Sequence, residues 1–295
     1  MNKKSFLSLH KIISILLPAL TAVIAGAYCL AMKFDFEYNI SHFKTGSMAF
    51  WIFTVAAAAA LVASAVPAFA SRKDLAITGT PTTGPVALFG AILSIIVSVG
   101  TFISEIKSGM DEIKLAGETL SRSTPPAALV MQLVGSVLVL FIGAEIALSC
   151  IDGQRGKIPH KIAAILAPLS INLTMFACYF DFEQPLNGPV RNVTTIVQCA
   201  VLLFLLSEAR LAFGGRVTSP FYIFSSAIAA SVGLGFSLGG ALFKIIDLTK
   251  DDPNPSFLRL ALYIAVGCIA VDRFMSLPKI IGDGADKEEE KTEKE

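Results

Sequence analysis

Long apolar runs alternate with short polar segments along the whole chain, and this pattern predicts the fold. A helix that crosses the core of a bilayer needs about 20 mostly apolar residues. Eight runs meet that requirement: Ile12–Met32, Met48–Ala70, Pro85–Ser104, Ala127–Cys150, Ile162–Phe180, Val193–Ala212, Phe221–Ile246 and Leu258–Leu277. They are too long and too continuously apolar for the strands of a membrane barrel, which alternate over about ten residues. The sequence therefore predicts an all-α, polytopic bundle of about eight transmembrane helices.

The amino-acid composition is typical of a membrane protein, and the net charge limits the kinds of partner that the chain can attract. Of 295 residues, 54% are hydrophobic and only 16% are charged, whereas soluble proteins carry about 25% charged residues. The formal net charge is +1, so the chain has no basic field that would attract nucleic acid. The expected partners are the lipid bilayer, a small-molecule or cation ligand and another membrane protein, without nucleic acid.

Short motifs recur in the same order in the two halves, which predicts an internal duplication. The first run ends in Phe-Asp-Phe-Glu at positions 34–37, and the fifth ends in the same tetrapeptide at 180–183. The second and sixth runs both close on Ala-Phe followed shortly by arginine. Since each half would hold an even number of helices, both would insert the same way round. We expect two parallel four-helix repeats, residues 1–154 and 155–281, and a disordered charged cytoplasmic tail, residues 282–295.

Lysine and arginine positions predict the orientation. One side of the membrane would carry Lys3, Lys4, Lys11, Arg72, Lys73, Arg155, Lys157, Lys161, Arg210, Arg216 and Lys279, and the other has cations mixed with more acids. Loops rich in lysine and arginine stay in the cytoplasm. We therefore expect a multi-pass protein of the cell membrane with both termini cytoplasmic. The longest external connection is expected at Glu105–Pro126, with a short interfacial helix.

Ionisable residues inside a bilayer are costly, and they are therefore candidates for function. Five of them fall near the predicted cytoplasmic ends of the fourth, sixth and eighth runs: Glu145, Glu208, Arg210, Asp272 and Arg273. They form a candidate inner polar cluster contributed by both halves. The alternative is that Arg210 and Arg273 extend to the interface and pair there with neighbouring acids.

The repeated tetrapeptide supplies a second candidate site on the other side. Asp35, Glu37, Asp181 and Glu183 would lie at the outer ends of equivalent helices. Four carboxylates there would form an outer acidic mouth that attracts cations. The alternative is an interfacial boundary at which phenylalanine enters lipid and the acids face water.

Glycine spacing in the seventh run predicts close helix packing. Gly235 and Gly239 stand four residues apart, a spacing that lets a second helix approach closely. An unwound segment that lines a substrate path is the alternative.

Signatures of metal, cofactor or catalytic chemistry are lacking. The five cysteines are scattered among apolar runs without a CxxC pair, and the three histidines lie outside the predicted runs. A phosphate-binding GxxxxGK[ST] loop does not occur, and the string Gly-Phe-Ser-Leu-Gly at positions 235–239 fits GxSxG but lies inside the seventh apolar run, where the strand-to-helix turn of a nucleophile elbow is not expected. We therefore expect no metal and no cofactor, and enzymatic activity is not favoured.

The leading hypothesis is a small-molecule or ion permease, or a membrane subunit of a transporter, whose site lies between the two halves. The hypothesis depends on the repeat architecture, the glycine-rich helices and the intramembrane acids. Two alternatives stay open: a non-transporting scaffold, sensor or assembly partner, and an intramembrane enzyme that acts on lipid.

Overall fold

The computed structural model describes residues 3–70, 76–77, 83–118, 126–151, 153–180, 188–214, 217–247 and 253–292. Nine α-helices occupy most of this part of the chain: α1 (Lys3–Leu30), α2 (Met48–Ala70), α3 (Pro85–Glu118), α4 (Pro126–Cys150), α5 (Ile158–Tyr179), α6 (Pro189–Ala212), α7 (Ser219–Ile228), α8 (Leu234–Ile246) and α9 (Phe257–Thr292). Five-residue π-helical turns continue α1 at Ala31–Asp35 and join α7 to α8 at Ala229–Gly233.

Eight spans in the described residues are long and apolar enough to cross a membrane, so the predicted all-α polytopic bundle is confirmed. The seventh span, Pro220–Ile246, comprises α7, the π turn and α8. Because the number of spans is even, the residues before the first span and after the eighth lie on one side. We call this the terminal side, and the other the opposite side.

Several helices extend beyond the predicted runs, among them α1, which begins at Lys3 rather than Ile12, and α6, which begins at Pro189 rather than Val193. The structure begins α5 at Ile158 rather than Ile162, and a proline in its first turn is suited to a helix start. Helix α3 continues to Glu118, through most of the segment for which a connection with a short interfacial helix is predicted. Helix α9 continues to Thr292, through most of the predicted disordered tail. Its last residues are mainly Lys and Glu, which are good helix formers.

The seventh span lies at the centre of the bundle. It packs against α1, α2, α6 and α9, and 78% of its apolar window is buried, compared with 28% for the second span. The remaining helices pack in chain order, α3 on α4, α4 on α5 and α5 on α6, and α9 closes the arrangement against α3. A charged residue on the inner face of α4, α6 or α9 is therefore enclosed by protein rather than by lipid.

Two short antiparallel strand pairs connect loops at the ends of helices. On the opposite side, β1 (Phe36–Glu37) pairs with β2 (His42–Phe43). On the terminal side, β3 (Ala76–Ile77) pairs with β4 (Val217–Thr218). The second pair joins the segments that follow α2 and α6, which are equivalent helices in the predicted duplication. The packing partners of equivalent helices nevertheless differ, because α1 contacts α8 whereas α5 contacts α4, and the duplication stays a prediction.

Candidate functional site

A group of buried charged side chains lies at the terminal side of the bundle. Its members come from α4, α5, α6, α9 and the α4–α5 loop, and we call them the inner charge cluster: Glu145, Arg155, His160, Glu208, Asp272 and Arg273. Glu145, His160, Glu208 and Arg273 are each at most 2% exposed. Charges at such depth are costly unless they are paired or hydrogen-bonded, so their partners decide what the cluster can do.

Glu208 is the centre of the cluster. Its Oε2 accepts a hydrogen bond from Arg155 Nη2 at 3.2 Å and lies 3.8 Å from Arg273 Nε. Its Oε1 accepts a hydrogen bond of 2.6 Å from the hydroxyl of Tyr222, a fully buried residue of α7. Glu208 therefore connects α6 to α7, to α9 and to the α4–α5 loop.

Arg273 is completely buried and has weak contacts for a buried guanidinium. Its Nη2 donates to the carbonyl oxygen and Oγ of Ser149, both at 3.3 Å, and its Nη1 lies 3.9 Å from Asp272 Oδ2. Within the described residues, neither Nε nor Nη1 makes a hydrogen bond. Two donors of a buried cation thus remain available inside the bundle.

Glu145 and His160 face each other across the α4–α5 connection. The backbone N–H of Gly156 donates to His160 Nδ1 at 2.9 Å, so the proton of the neutral ring lies on Nε2. Nε2 is 3.8 Å from Glu145 Oε1, and neither atom has a hydrogen bond in the described part of the chain. Gly156 adopts a left-handed φ of 78°, which glycine reaches without steric cost. This turn directs its N–H toward the ring.

The charges of the cluster do not balance when the imidazole is neutral. Three carboxylates and two guanidinium groups then leave a net charge of −1, and one added proton brings the total to zero. Glu145 lies within electrostatic range of Glu208, His160 and Arg273, so a proton on this pair affects the whole cluster. Unpartnered polar atoms in a buried site call for a water, an ion or a ligand.

The structure brings together four of the five residues of the predicted inner polar cluster: Glu145, Glu208, Asp272 and Arg273. It does not include Arg210, which is exposed and lies over the ring of Phe221 at 5.2 Å from its centroid. An arginine at a helix end extends its head toward water along an apolar surface, and the exposure of Arg210 agrees with that part of the interfacial alternative, whereas Arg273 is buried.

Sequence reasoning missed Arg155, His160 and Tyr222. The prediction that all histidines lie outside the membrane spans is wrong, because the first span includes His10 and the fifth includes His160. A signal was present for the fifth span, since Pro159 favours a helix start well before Ile162. Tyr222 had no comparable signal, because a tyrosine near a helix end is common at membrane interfaces.

The residues of the predicted outer acidic mouth have different environments. The Oδ2 of Asp35 accepts a 2.6 Å hydrogen bond from Ser47, whose hydroxyl also caps α2 by accepting from the Phe50 N–H. Glu37 is exposed on β1. Asp181 and Glu183 lie outside the described residues, so the mouth as a whole stays a prediction.

A second buried charge group lies toward the opposite side and was not predicted. Arg259 at the start of α9 donates through Nε and Nη2 to the two carboxylate oxygens of Glu105 on α3, with 2.8 Å for the Nε contact. Ser136 of α4 donates to the same carboxylate at 2.6 Å. We call Glu105, Ser136 and Arg259 the outer clamp, because together they join α3, α4 and α9.

An apolar layer separates the inner charge cluster from the outer clamp. Arg259 and Arg273 are fourteen positions apart on α9, which corresponds to about 21 Å along a helix. Val201 and Phe204 of α6 and Val266 and Ile269 of α9 are buried between these levels and belong to one hydrophobic core. In the described residues, apolar side chains of α6 and α9 therefore lie between the two groups of charged residues.

Gly235 and Gly239 lie on the face of α8 that contacts α1. A Cβ on Gly239 would stand 2.7 Å from the carbonyl oxygen of Ala25, and a Cβ on Gly235 would stand 3.0 Å from Ile24. Both glycines thus permit a close approach of two helices within the chain.

Neither the metal-ligating side chains of the described residues nor the comparisons with known proteins assign a function to the chain. Among the described residues, no group of three or more His, Cys, Asp and Glu side chains could hold a metal ion. Comparison of the chain with protein-family models, curated proteins and solved structures finds no match. The functional argument therefore depends on the geometry of the two buried charge groups.

Proposed function

We propose that this integral membrane protein is a proton-coupled permease for a small polar solute, with the inner charge cluster as its proton and solute site. One observation carries the proposal: Glu145 and His160 are buried, and each directs an unpartnered polar atom toward the other at 3.8 Å. Ionisable residues at membrane depth mark ion and proton pathways by default.

Charge balance supports proton binding. Desolvation makes a buried net charge expensive, and one proton on Glu145 neutralises the cluster. Glu145 is the acceptor of that proton, because His160 Nδ1 already accepts the Gly156 N–H and Nε2 carries the proton of the neutral ring. His160 would then act as a donor that faces Glu145 in both protonation states of the carboxyl.

The unpartnered atoms support a polar solute next to the proton site. Arg155 Nη1 and Arg273 Nε and Nη1 are donors, and Asp272 Oδ2 is an acceptor. A solute with one acidic and one basic or hydroxyl group would satisfy both kinds of atom. The outer clamp and the apolar layer would close the opposite side while the solute is held.

A thermal-shift screen of detergent-purified protein against small polar metabolites at several pH values tests the proposal. A ligand that binds only the folded state raises the melting temperature with its concentration. We expect a solute that stabilises the wild type and Glu37→Gln, an exposed control on β1, while Glu145→Gln and Asp272→Asn lose the effect. The same solute should acidify the lumen of wild-type proteoliposomes when it is taken up.

The outcomes separate this proposal from its alternatives. A flat response of the wild type across the panel would contradict the permease and favour the scaffold or sensor. Solute binding that persists unchanged in Glu145→Gln, with normal uptake, would remove Glu145 from the mechanism.

The same proposal places the terminal side in the cytoplasm of a cell whose plasma membrane holds the protein, because the lysine and arginine bias lies on that side. Single cysteines at Gln154 and Asn39 in a background without the native cysteines would test it. We expect a membrane-impermeant thiol reagent to label only position 39 on intact cells. Labelling of position 154 alone would reverse the orientation.

A further inference from the structure

An apolar crevice of about 250 Å³ lies between α1, the seventh span and α9. Its walls include Pro18 and Ala22 of α1, Leu234 and Leu238 of α8, and Val271 and Met275 of α9. Pro18, Ala22 and Met275 are exposed on the outer surface of the bundle, so the crevice opens toward the bilayer. It is separate from the inner charge cluster, because Arg273 is completely buried on another face of α9.

The crevice begins where α1 and α9 touch at the terminal side. His10 Nε2 donates to the carbonyl oxygen of Phe274 at 2.9 Å, and the two rings stack with centroids 4.8 Å apart. Above this contact Ser14 and Phe274 line the crevice, and the seventh span forms its back wall. The crevice therefore lies on the membrane side of the contact between His10 and Phe274.

Two lysines stand at the edge where the crevice meets the terminal side. Lys11 precedes Ser14, Pro18 and Ala22 by three, seven and eleven residues, a spacing that places all four on one face of α1. Lys279 follows Met275 by four residues on α9, which puts it one turn further toward the edge. Both lysine side chains are exposed.

We propose that this crevice and its two lysines form a binding site for an anionic phospholipid. One acyl chain would occupy the crevice, and the headgroup phosphate would lie between Lys11 and Lys279. An engineered apolar cavity of about 150 Å³ binds benzene, so a crevice of about 250 Å³ has room for a segment of a chain.

The lysines decide which lipid binds. An acyl chain gains little by moving from the bilayer into an apolar crevice, because lipid tails are as apolar as the protein surface. Selectivity must therefore come from the headgroup. Basic residues near the membrane surface attract anionic lipids, whereas phosphatidylcholine carries no net charge.

Lipid titration of the delipidated full-length protein, followed by native mass spectrometry, tests the site. The probes are phosphatidylglycerol and phosphatidylcholine with identical acyl chains. We expect the wild type to bind phosphatidylglycerol about tenfold more tightly, and Lys11→Gln/Lys279→Gln to reduce this preference to less than about twofold. The control Lys157→Gln removes an exposed lysine of the terminal side that lies away from the crevice, and it should keep the preference.

A second variant tests the crevice itself. Ala22→Phe places a ring in the crevice, and we expect it to weaken binding of both lipids while the melting temperature stays near that of the wild type. Unchanged lipid binding in Ala22→Phe would overturn the assignment of the acyl chain. An equal preference in the wild type and the double lysine variant would overturn the headgroup assignment, as would full competition by inorganic phosphate.

Discussion

The outer clamp and the inner charge cluster use the same residue types but differ in how well their charges are satisfied. In the outer clamp, Arg259 forms a two-pronged contact with Glu105, and Ser136 adds a third hydrogen bond to the same carboxylate. Within the described residues, Arg259 Nη1 is the one buried polar side-chain atom of the outer clamp that lacks a hydrogen bond. In the inner charge cluster, Arg273 Nε lies 3.8 Å from Glu208, too far for a good hydrogen bond.

This difference indicates different roles. A bidentate arginine–carboxylate pair supplies both energy and fixed geometry, so the outer clamp holds α3, α4 and α9 in one arrangement. The inner charge cluster keeps unpartnered donors and acceptors at Glu145, Arg155, His160, Asp272 and Arg273. A buried polar group that lacks a partner loses free energy to desolvation, and a proton or a solute can recover it. The first group should matter for stability and the second for binding.

Removal of the carboxylate from the outer clamp should have the largest effect. Glu105→Leu leaves Arg259 as a largely buried charge without its partner, and we expect the free energy of unfolding to fall by about 3 kcal/mol. The double variant Glu105→Leu/Arg259→Met removes both charges and should recover most of the loss. Urea titration in detergent measures both. A loss below about 1 kcal/mol in the single variant would mean that solvent screens the pair, as at exposed sites.

Substitution of a glycine near each side of the membrane should have the next largest effect on stability. The two variants compare how tightly the chain is packed near the opposite side and near the terminal side. At Gly239 a Cβ meets the carbonyl oxygen of Ala25 at 2.7 Å, whereas at Gly84 it meets the carboxylate of Asp272. A backbone cannot move aside as a side chain can, so Gly239→Ala should cost about 1–3 kcal/mol and Gly84→Ala clearly less. Thermal unfolding of both variants checks the order. A larger loss for Gly84→Ala would show that Asp272 is held rigidly.

Neutralising Glu145 should change stability little but abolish the solute response. Glu145→Gln keeps the size of the side chain, and its Oε1 makes no hydrogen bond within the described residues, so we expect a change below about 1 kcal/mol. The comparison variant Glu105→Gln should show the reverse, with a larger loss of stability and a retained thermal shift by the solute. Equal losses of stability in the two variants would contradict the division of roles.

Arg210→Gln should have the smallest effect of all. Arg210 is exposed and contacts Phe221 rather than the inner charge cluster, and such surface substitutions usually stay within about 0.5 kcal/mol. Solute-induced thermal shifts should match those of the wild type. Loss of the solute-induced thermal shift in Arg210→Gln would mean that Arg210 takes part in the inner polar cluster, as the sequence predicted.

The positions of the spans and of most inner charges could be predicted from the sequence, but their contacts could not. Asp272 and Arg273 near the end of the eighth run were visible as costly charges, and the structure brings them to Glu208 and Glu145. Arg210 looked equivalent to Arg273 in the sequence. Only the packing of α9 against α3 and the seventh span separates them, because it encloses Arg273 completely.

The contacts of the outer clamp could not be predicted from the sequence either. Glu105 and Arg259 are 154 positions apart, and each lies at the end of an apolar run, where an exposed charge is the ordinary expectation. No local pattern indicates that α3 and α9 are neighbours. Asp35 of the predicted outer acidic mouth differs from these two residues, because its partner is close in the sequence. Its carboxylate accepts a hydrogen bond from Ser47, twelve positions further along the chain.

By itself the sequence determined that this chain is a multi-pass helical membrane protein, because the free energy of transfer into a bilayer adds up along each continuous run of residues. Only the tertiary structure decided which charges face each other, which are satisfied and which remain available for a proton or a ligand. Those properties depend on the rotation of each helix about its axis and on its neighbours, and neither is encoded within a single run.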